Sequence, residues 1–192
     1  MADQHELCEL ILYAEPGGEL GARCAEYWAA VSAADASTSA QEYPPHVTLT
    51  GFFHRTSDHV PAAIAALHAA ADAAVPAGLD GERWAEPAEL EFQANDEWVG
   101  LHVQCPWMDA LIAAFVADPG LAPAAVGEDE LRPKSWLHVS LSYGEQFEWA
   151  REMASGLAEP FAGVTEEREW GVGLWRRTEF GWERLAGVTV RS

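Results

Sequence analysis

The chain has 192 residues, 49% of them hydrophobic, and includes nine Trp, seven Phe and four Tyr. This apolar content excludes a disordered polymer, and the length is enough for one domain or two small lobes with a buried core. Thirty-one acidic residues against 11 basic ones give a net charge of −20. Such a charge repels a long polyanion and excludes extended binding along duplex nucleic acid.

The N-terminal stretch MADQHELCELILYAEPGG lacks the basic start and long apolar run of a secretory signal. No segment approaches the roughly 18 consecutive apolar residues of a membrane span. The three cysteines have no CxxC spacing, so they indicate neither a disulfide framework nor a thiolate metal site. We therefore expect a soluble cytoplasmic protein without a membrane partner. Heptad repeats are absent, so we expect a monomer.

Strands and helices are predicted to mix along the whole chain. Apolar or alternating runs predict strands at 8–14, 46–53, 90–94, 98–105, 136–143, 170–175 and 182–190. Ala-rich stretches with helical spacing predict helices at 20–34, 60–75, 107–117 and 147–158. RRTEFG at 176–181 predicts a hairpin turn that ends in Gly181, and the Pro-rich segment 119–134 predicts a long surface loop.

One short pattern occurs twice. PPHVTLTGF at 44–52 and WLHVSLSYG at 136–144 share the order His, Val, hydroxyl residue, Leu, hydroxyl residue, and their histidines are 92 positions apart (138 − 46). A predicted helix follows each copy, which makes two units, 46–75 and 136–158. We therefore expect one domain over 1–192 with an α+β, bilobal fold. It would have two antiparallel sheets related by pseudo-twofold symmetry, helices packed outside and a central cleft.

The repeated pattern predicts a polar face on each motif strand. Because side chains alternate between the two faces of a strand, the His and both hydroxyls of a copy share one face and the Val and Leu share the other. If the two polar faces meet across a cleft, His46 and His138 lie around one small volume. Up to four hydroxyls lie there too, those of Thr48 and Ser140 among them.

Two imidazoles with a pKa near 6.5 can divide proton transfer, one accepting a proton while the other donates one. That division suits a displacement at phosphorus, where hydroxyls hold the nonbridging oxygens. Which His acts as the base stays open. No carboxylate lies within either copy, so a zinc site would lack ligands and we expect neither a metal nor a cofactor. Duplicated strands kept for packing alone would explain the Val and Leu but not the matched His and hydroxyls.

The motifs HVTL and HVSL resemble the signature of the two-histidine (2H) phosphoesterase superfamily, in order and in spacing. The continuation Leu141-Ser142-Tyr143-Gly144 is similar to the cyclic phosphodiesterase branch of that superfamily. The resemblance implies a bilobal fold and metal-independent cleavage of cyclic nucleotide phosphates. It also implies that His46 and His138 are catalytic and that Thr48 and Ser140 bind phosphate. Tyr143 would line the substrate site.

Several substrates stay open under this resemblance. Net charge favours a small nucleotide, either ADP-ribose 1″,2″-cyclic phosphate or a nucleoside 2′,3′-cyclic phosphate. RNA ends are the substrate under an alternative function in RNA processing, that of a 2′,5′-phosphodiesterase or ligase, which needs a basic track that this sequence hardly supplies. A catalytically silent nucleotide-binding module is a further alternative, against which both complete motifs argue.

Other residues are candidates for substrate contacts. Residues 132–192 hold eight of the 11 basic residues against nine acidic ones, so a small phosphate is tolerated there. Lys134 and Arg176 are candidates for a phosphate contact, together with Arg132 and Arg177. Trp175 is a candidate for stacking a base, as are Tyr13, Phe53, Trp98 and Tyr143. His102, in GLHVQC, has Gln104 where a hydroxyl is wanted, so it is interpreted as an ordinary strand residue.

Overall fold

A computed structural model describes residues 6–78, 80–95, 97–143, 152 and 156–192. Its strands are β1 (Leu7–Pro16), β2 (Val47–Thr48), β3 (Phe53–Thr56), β4 (Ala88–Ala94), β5 (Trp98–Gln104), β6 (His138–Tyr143), β7 (Glu166–Glu167), β8 (Glu169–Thr178) and β9 (Gly181–Arg191). Its α-helices are α1 (Gly18–Ala33), α2 (Val60–Ala74) and α3 (Pro106–Val116). No helix of the described ranges is long and apolar enough to cross a membrane.

The strands form a curled antiparallel sheet, and the α+β class predicted from the sequence is confirmed. The strand order is β7-β4-β5-β6-β2-β1-β8-β9, and β3 pairs with β1 beside β2. The sequence predicted two separate sheets, whereas the described strands make one. The reason is a single contact at the centre, where the two motif strands β2 and β6 pair with Val47 opposite Val139.

The predicted strand 46–53 is interrupted. Thr50 Oγ1 accepts a hydrogen bond from the Leu12 backbone N–H at 3.1 Å, in the place of a ladder carbonyl. The segment before the second motif approaches here, because Pro133 forms a bridge with Thr50 and the backbone N–H of Lys134 donates to the Leu49 carbonyl at 3.0 Å. The run is therefore divided into β2 and β3, and Lys134 is brought to the end of the first motif.

The helix predictions at 20–34, 60–75 and 107–117 are confirmed to within two residues. The predicted helix at 147–158 lies largely outside the described residues. The hairpin predicted at 176–181 is tighter than expected, because β8 continues to Thr178 and β9 begins at Gly181, whose φ is 128°. The apolar residues of both motifs, Val47, Leu49, Val139 and Leu141, have no exposed surface and belong to the same core cluster as the buried residues of α2 and α3.

The predicted loop 119–134 is anchored by two buried charged side chains. Arg55, on β3, is 1% exposed and donates to the backbone carbonyls of Leu121 and Asp129. The Glu128 side chain has no exposed surface and accepts hydrogen bonds from the Thr56 backbone N–H at 2.9 Å and from His59 Nδ1 at 2.7 Å. These contacts hold the loop against β3, so that its far end meets the first motif at Thr50.

Candidate functional site

The pairing of β2 with β6 brings the two motifs onto one face of the sheet. With Val47 opposite Val139, the antiparallel register puts His46 opposite Ser140 and Thr48 opposite His138. Both valines point into the core, so the histidines and the hydroxyls point away from it. Residues that lie 92 positions apart in the chain are thereby diagonal neighbours, with the two His one step on either side of the valine pair.

A cavity of about 360 Å³ lies against this polar face. His46, Thr48, Ser140, Tyr143 and Lys134 all contribute to its wall. The volume lies within the range of pockets that hold one small-molecule ligand. The structure thus brings together five of the eight site residues predicted from the sequence.

His46 is oriented by a backbone carbonyl. Its Nδ1 lies 2.8 Å from the Pro44 carbonyl oxygen. A carbonyl only accepts, so Nδ1 carries the proton and Nε2 is left for a ligand. The ring also packs on Tyr13, with a centroid separation of 4.0 Å. Burial lowers the pKa of His46 below 6.5, although the bond to Pro44 acts to raise it.

His138 is oriented in the same way, by the backbone carbonyl of the residue two positions before it. Its Nδ1 lies 3.3 Å from the Trp136 carbonyl oxygen, and its ring stacks on the Trp136 indole with centroids 4.0 Å apart. His138 lies across from Thr48 of the cavity wall but does not itself belong to the wall. Burial lowers the pKa of His138, and the positive charges of His46 and Lys134 lower it further. The two imidazoles are therefore within electrostatic range of each other, and both favour the neutral form.

The second hydroxyl residues of the motifs, Thr50 and Ser142, do not project freely into the cavity as the sequence predicted. Thr50 borders the cavity, but it is fully buried and its oxygen is bonded to the Leu12 N–H. The register of β5 against β6 shifts between Val99 and Gly100, so one extra residue of β6 is accommodated in a bulge. The bulge reverses the alternation after Ser140. Ser142 consequently turns inward and is 1% exposed, while Tyr143 turns to the cavity.

Ser140 is held by two side chains of this bulged region. The Trp98 indole N–H donates to Ser140 Oγ at 3.1 Å, and the Tyr143 hydroxyl lies 2.7 Å from the same oxygen. The Trp98 ring also meets the His138 ring edge-on, with centroids 5.3 Å apart. Trp98 therefore contacts both Ser140, the predicted phosphate-binding residue, and His138.

An aromatic wall extends from His46 and includes residues that the sequence analysis missed. Phe52 and Tyr43 line the cavity. Phe52 stacks on Trp182 of β9, with centroids 5.6 Å apart and planes at 13°. Phe52 follows Thr48 and Thr50 at the next alternate position, so the motif pattern could have indicated it. Trp182 is on β9, which pairs with β8 and not with a motif strand, so the motif pattern could not have indicated its contact with Phe52. Phe53, a predicted stacking candidate, lies instead in the core with no exposed surface.

Two predicted substrate contacts, Trp175 and Arg176, do not belong to the cavity wall. Trp175 pairs with Ile11, and its ring lies beneath the Arg184 guanidinium rather than in the cavity wall. Arg176 is opposite the buried Leu10, on the other face of the sheet, and its guanidinium bonds to Glu183 at 2.5 Å. Among the described residues, Lys134 is the only Lys or Arg in the wall.

Within the described ranges, no group of three His, Cys, Asp or Glu side chains is arranged to hold a metal ion. Comparison with models of known protein families gave no match, and no curated protein matches the chain in sequence.

Proposed function

We propose that the protein is a cyclic phosphodiesterase of the 2H type, which hydrolyses a small cyclic nucleotide phosphate with His46 and His138 as the acid–base pair. The observation that carries the proposal is the pairing of Val47 with Val139. A twofold axis through this pair exchanges His46 with His138 and Thr48 with Ser140. That relation supports the pseudo-twofold, bilobal origin of the fold, in which each half of the sheet supplies one motif strand at the centre.

The orientation of the rings supports a paired proton transfer. Both Nδ1 atoms are bonded to backbone carbonyls, so each imidazole has only Nε2 available to a substrate. One Nε2 takes a proton from water as the water oxygen forms a bond to phosphorus. The ribose oxygen leaves as its bond to phosphorus breaks, and the Nε2–H of the other imidazole supplies its proton. Thr48 and Ser140 hold the nonbridging oxygens, and the product is a nucleoside monophosphate.

The charges around the cavity favour a substrate with one phosphate. Lys134 is the only Lys or Arg among the described residues of the wall, and Glu42 contributes a carboxylate to the same wall. A nucleoside 2′,3′-cyclic phosphate carries a single negative charge. ADP-ribose 1″,2″-cyclic phosphate adds a pyrophosphate, which this wall and the net charge of −20 would repel. Tyr43 and Phe52 offer aromatic faces for the base.

One product analysis tests the function. The protein is incubated, with EDTA present, with nucleoside 2′,3′-cyclic phosphates, with ADP-ribose 1″,2″-cyclic phosphate and with a 2′,5′-linked oligonucleotide. We expect opening of the 2′,3′-cyclic phosphates at a rate that EDTA does not change. Cleavage of the oligonucleotide alone would instead support the RNA-processing alternative. Binding of all three without any product would support the silent nucleotide-binding module.

A further inference from the structure

Trp98 is placed beneath the polar face by two local features of β5 and β6. The bulge between Val99 and Gly100 puts Trp98 opposite Tyr143 rather than opposite Ser142. The indole then lies across position 100, where a Cβ atom would overlap both the Trp98 ring and the Val139 carbonyl oxygen. Only Gly leaves room for the ring there. The bulge and the glycine together allow the indole N–H to reach Ser140.

The hydrogen bonds of this region have a direction that can be worked out. The indole N–H of Trp98 can only donate, so a lone pair of Ser140 Oγ faces Trp98 and the Ser140 proton points elsewhere. Ser140 and Tyr143 share one further hydrogen bond, which uses one of their two hydroxyl protons. The remaining proton lies on Ser140 or on Tyr143, and both residues belong to the cavity wall. The group therefore presents one O–H donor to a ligand in the cavity.

We infer that Trp98 is a positioning residue, whose indole N–H orients the Ser140 hydroxyl so that the Ser140–Tyr143 pair donates to a nonbridging phosphate oxygen. The inference rests on the proposed function, since it takes the ligand to be a phosphate. Trp98 is 7% exposed, so water competes little for its N–H and the orientation is maintained before a ligand arrives.

A double-mutant cycle tests this role, with the variants Trp98→Phe, Ser140→Ala and the two combined. The measurements are kcat and KM for cytidine 2′,3′-cyclic monophosphate, and the Kd of inorganic phosphate by calorimetry. Loss of one orienting hydrogen bond should lower kcat/KM and weaken phosphate binding by roughly 3- to 10-fold. The same change made in the Ser140→Ala background should have no further effect. An equal loss in both backgrounds would overturn the inference, because Trp98 would then act on something other than Ser140.

Trp107→Phe is the matched control, because Trp107 is equally buried but lies in α3, in the core. We expect it to leave turnover and phosphate binding unchanged. If Trp98→Phe does not fold, the Trp98 indole N–H resonance is compared between the wild-type protein and Ser140→Ala. A shift supports the hydrogen bond, and an unchanged resonance overturns it.

The two proposals fail separately in this design. A wild-type chain that opens no cyclic phosphate, yet binds inorganic phosphate with the non-additive cycle, contradicts the proposed function and supports the role of Trp98. A wild-type chain that opens 2′,3′-cyclic phosphates, but loses equally from Trp98→Phe in both backgrounds, supports the proposed function and contradicts the role of Trp98.

Discussion

Val47 and Val139 are equivalent residues of the two motif copies, and they lie directly opposite each other between β2 and β6. Both are fully buried, so the core holds the pair in register. A slip of one residue would turn the polar face of one strand into the core and separate the histidines. The packing of two apolar side chains thus sets the relative positions of the two motif histidines.

His46→Ala and His138→Ala should each lower turnover of a 2′,3′-cyclic nucleotide by roughly 10²- to 10⁴-fold, because each removes one proton transfer. The double variant should be little worse than either single one, since the two groups act in one step. His68→Ala is the control, because His68 is exposed on α2 and does not belong to either motif strand. Retained turnover in His138→Ala would refute the paired scheme. Thermal melting shows whether the variants fold.

The pH profile of kcat/KM should be a bell with its maximum below pH 6.5. The pKa values of His46 and His138 are both lowered from 6.5, mainly by burial. As the pH falls, the base becomes protonated and the rate declines; as the pH rises, the acid loses its proton and the rate declines again. A maximum above pH 7 would contradict this assignment. The profile of kcat should lie at higher pH, because a bound phosphate anion favours the imidazolium form.

Trp136→Ala should raise the pKa of His138 toward 6.5. The substitution removes the stacked indole that buries the imidazole, while the backbone carbonyl that binds Nδ1 remains. NMR titration of the His138 ring protons measures the change. The pKa of His46 should move less, since its ring packs on Tyr13 instead. An unchanged His138 pKa would show that Trp136 does not control its solvation.

Glu128→Gln should destabilise the fold at neutral pH. Burial acts to raise the pKa of Glu128, but hydrogen bonds from the Ala124 and Thr56 N–H groups and from His59 outweigh it and lower the value to about 2. This depressed pKa stabilises the folded state fully above 4.5, and the contribution is lost as the pH falls toward 2. We expect the variant to lose roughly 2 kcal/mol of unfolding free energy at pH 7.

Urea unfolding measured across pH checks the Glu128 prediction. The stability of the variant should depend less on pH between 4.5 and 2 than that of the wild-type protein. Glu130→Gln is the control, since Glu130 is exposed in the same loop. Equal losses in the two variants would indicate a general charge effect rather than the buried carboxylate.

Local patterns were sufficient for most elements of the fold. The three helices α1, α2 and α3 began and ended close to their predicted positions, because Ala-rich spacing reports helix propensity directly. The alternation in HVTL and HVSL correctly separated the buried Val and Leu from the polar residues. The alternation failed after Ser140, because a bulge depends on the register with a neighbouring strand and leaves no mark in the motif itself. The side of the sheet on which Arg176 lies likewise follows from its pairing with Leu10, which the sequence pattern of its own strand does not show.

The sequence alone determined that each motif presents its His and its first hydroxyl together, since a His and a hydroxyl two residues later on a strand share a face wherever that strand is placed. Only the tertiary structure decided that the two copies pair as neighbours, that Lys134 and Phe52 join them, and that Tyr143 rather than Ser142 turns to the cavity. The physical reason is that side-chain direction along a strand is a local property of the backbone, whereas strand neighbours and register follow from how apolar surfaces of distant segments are buried together.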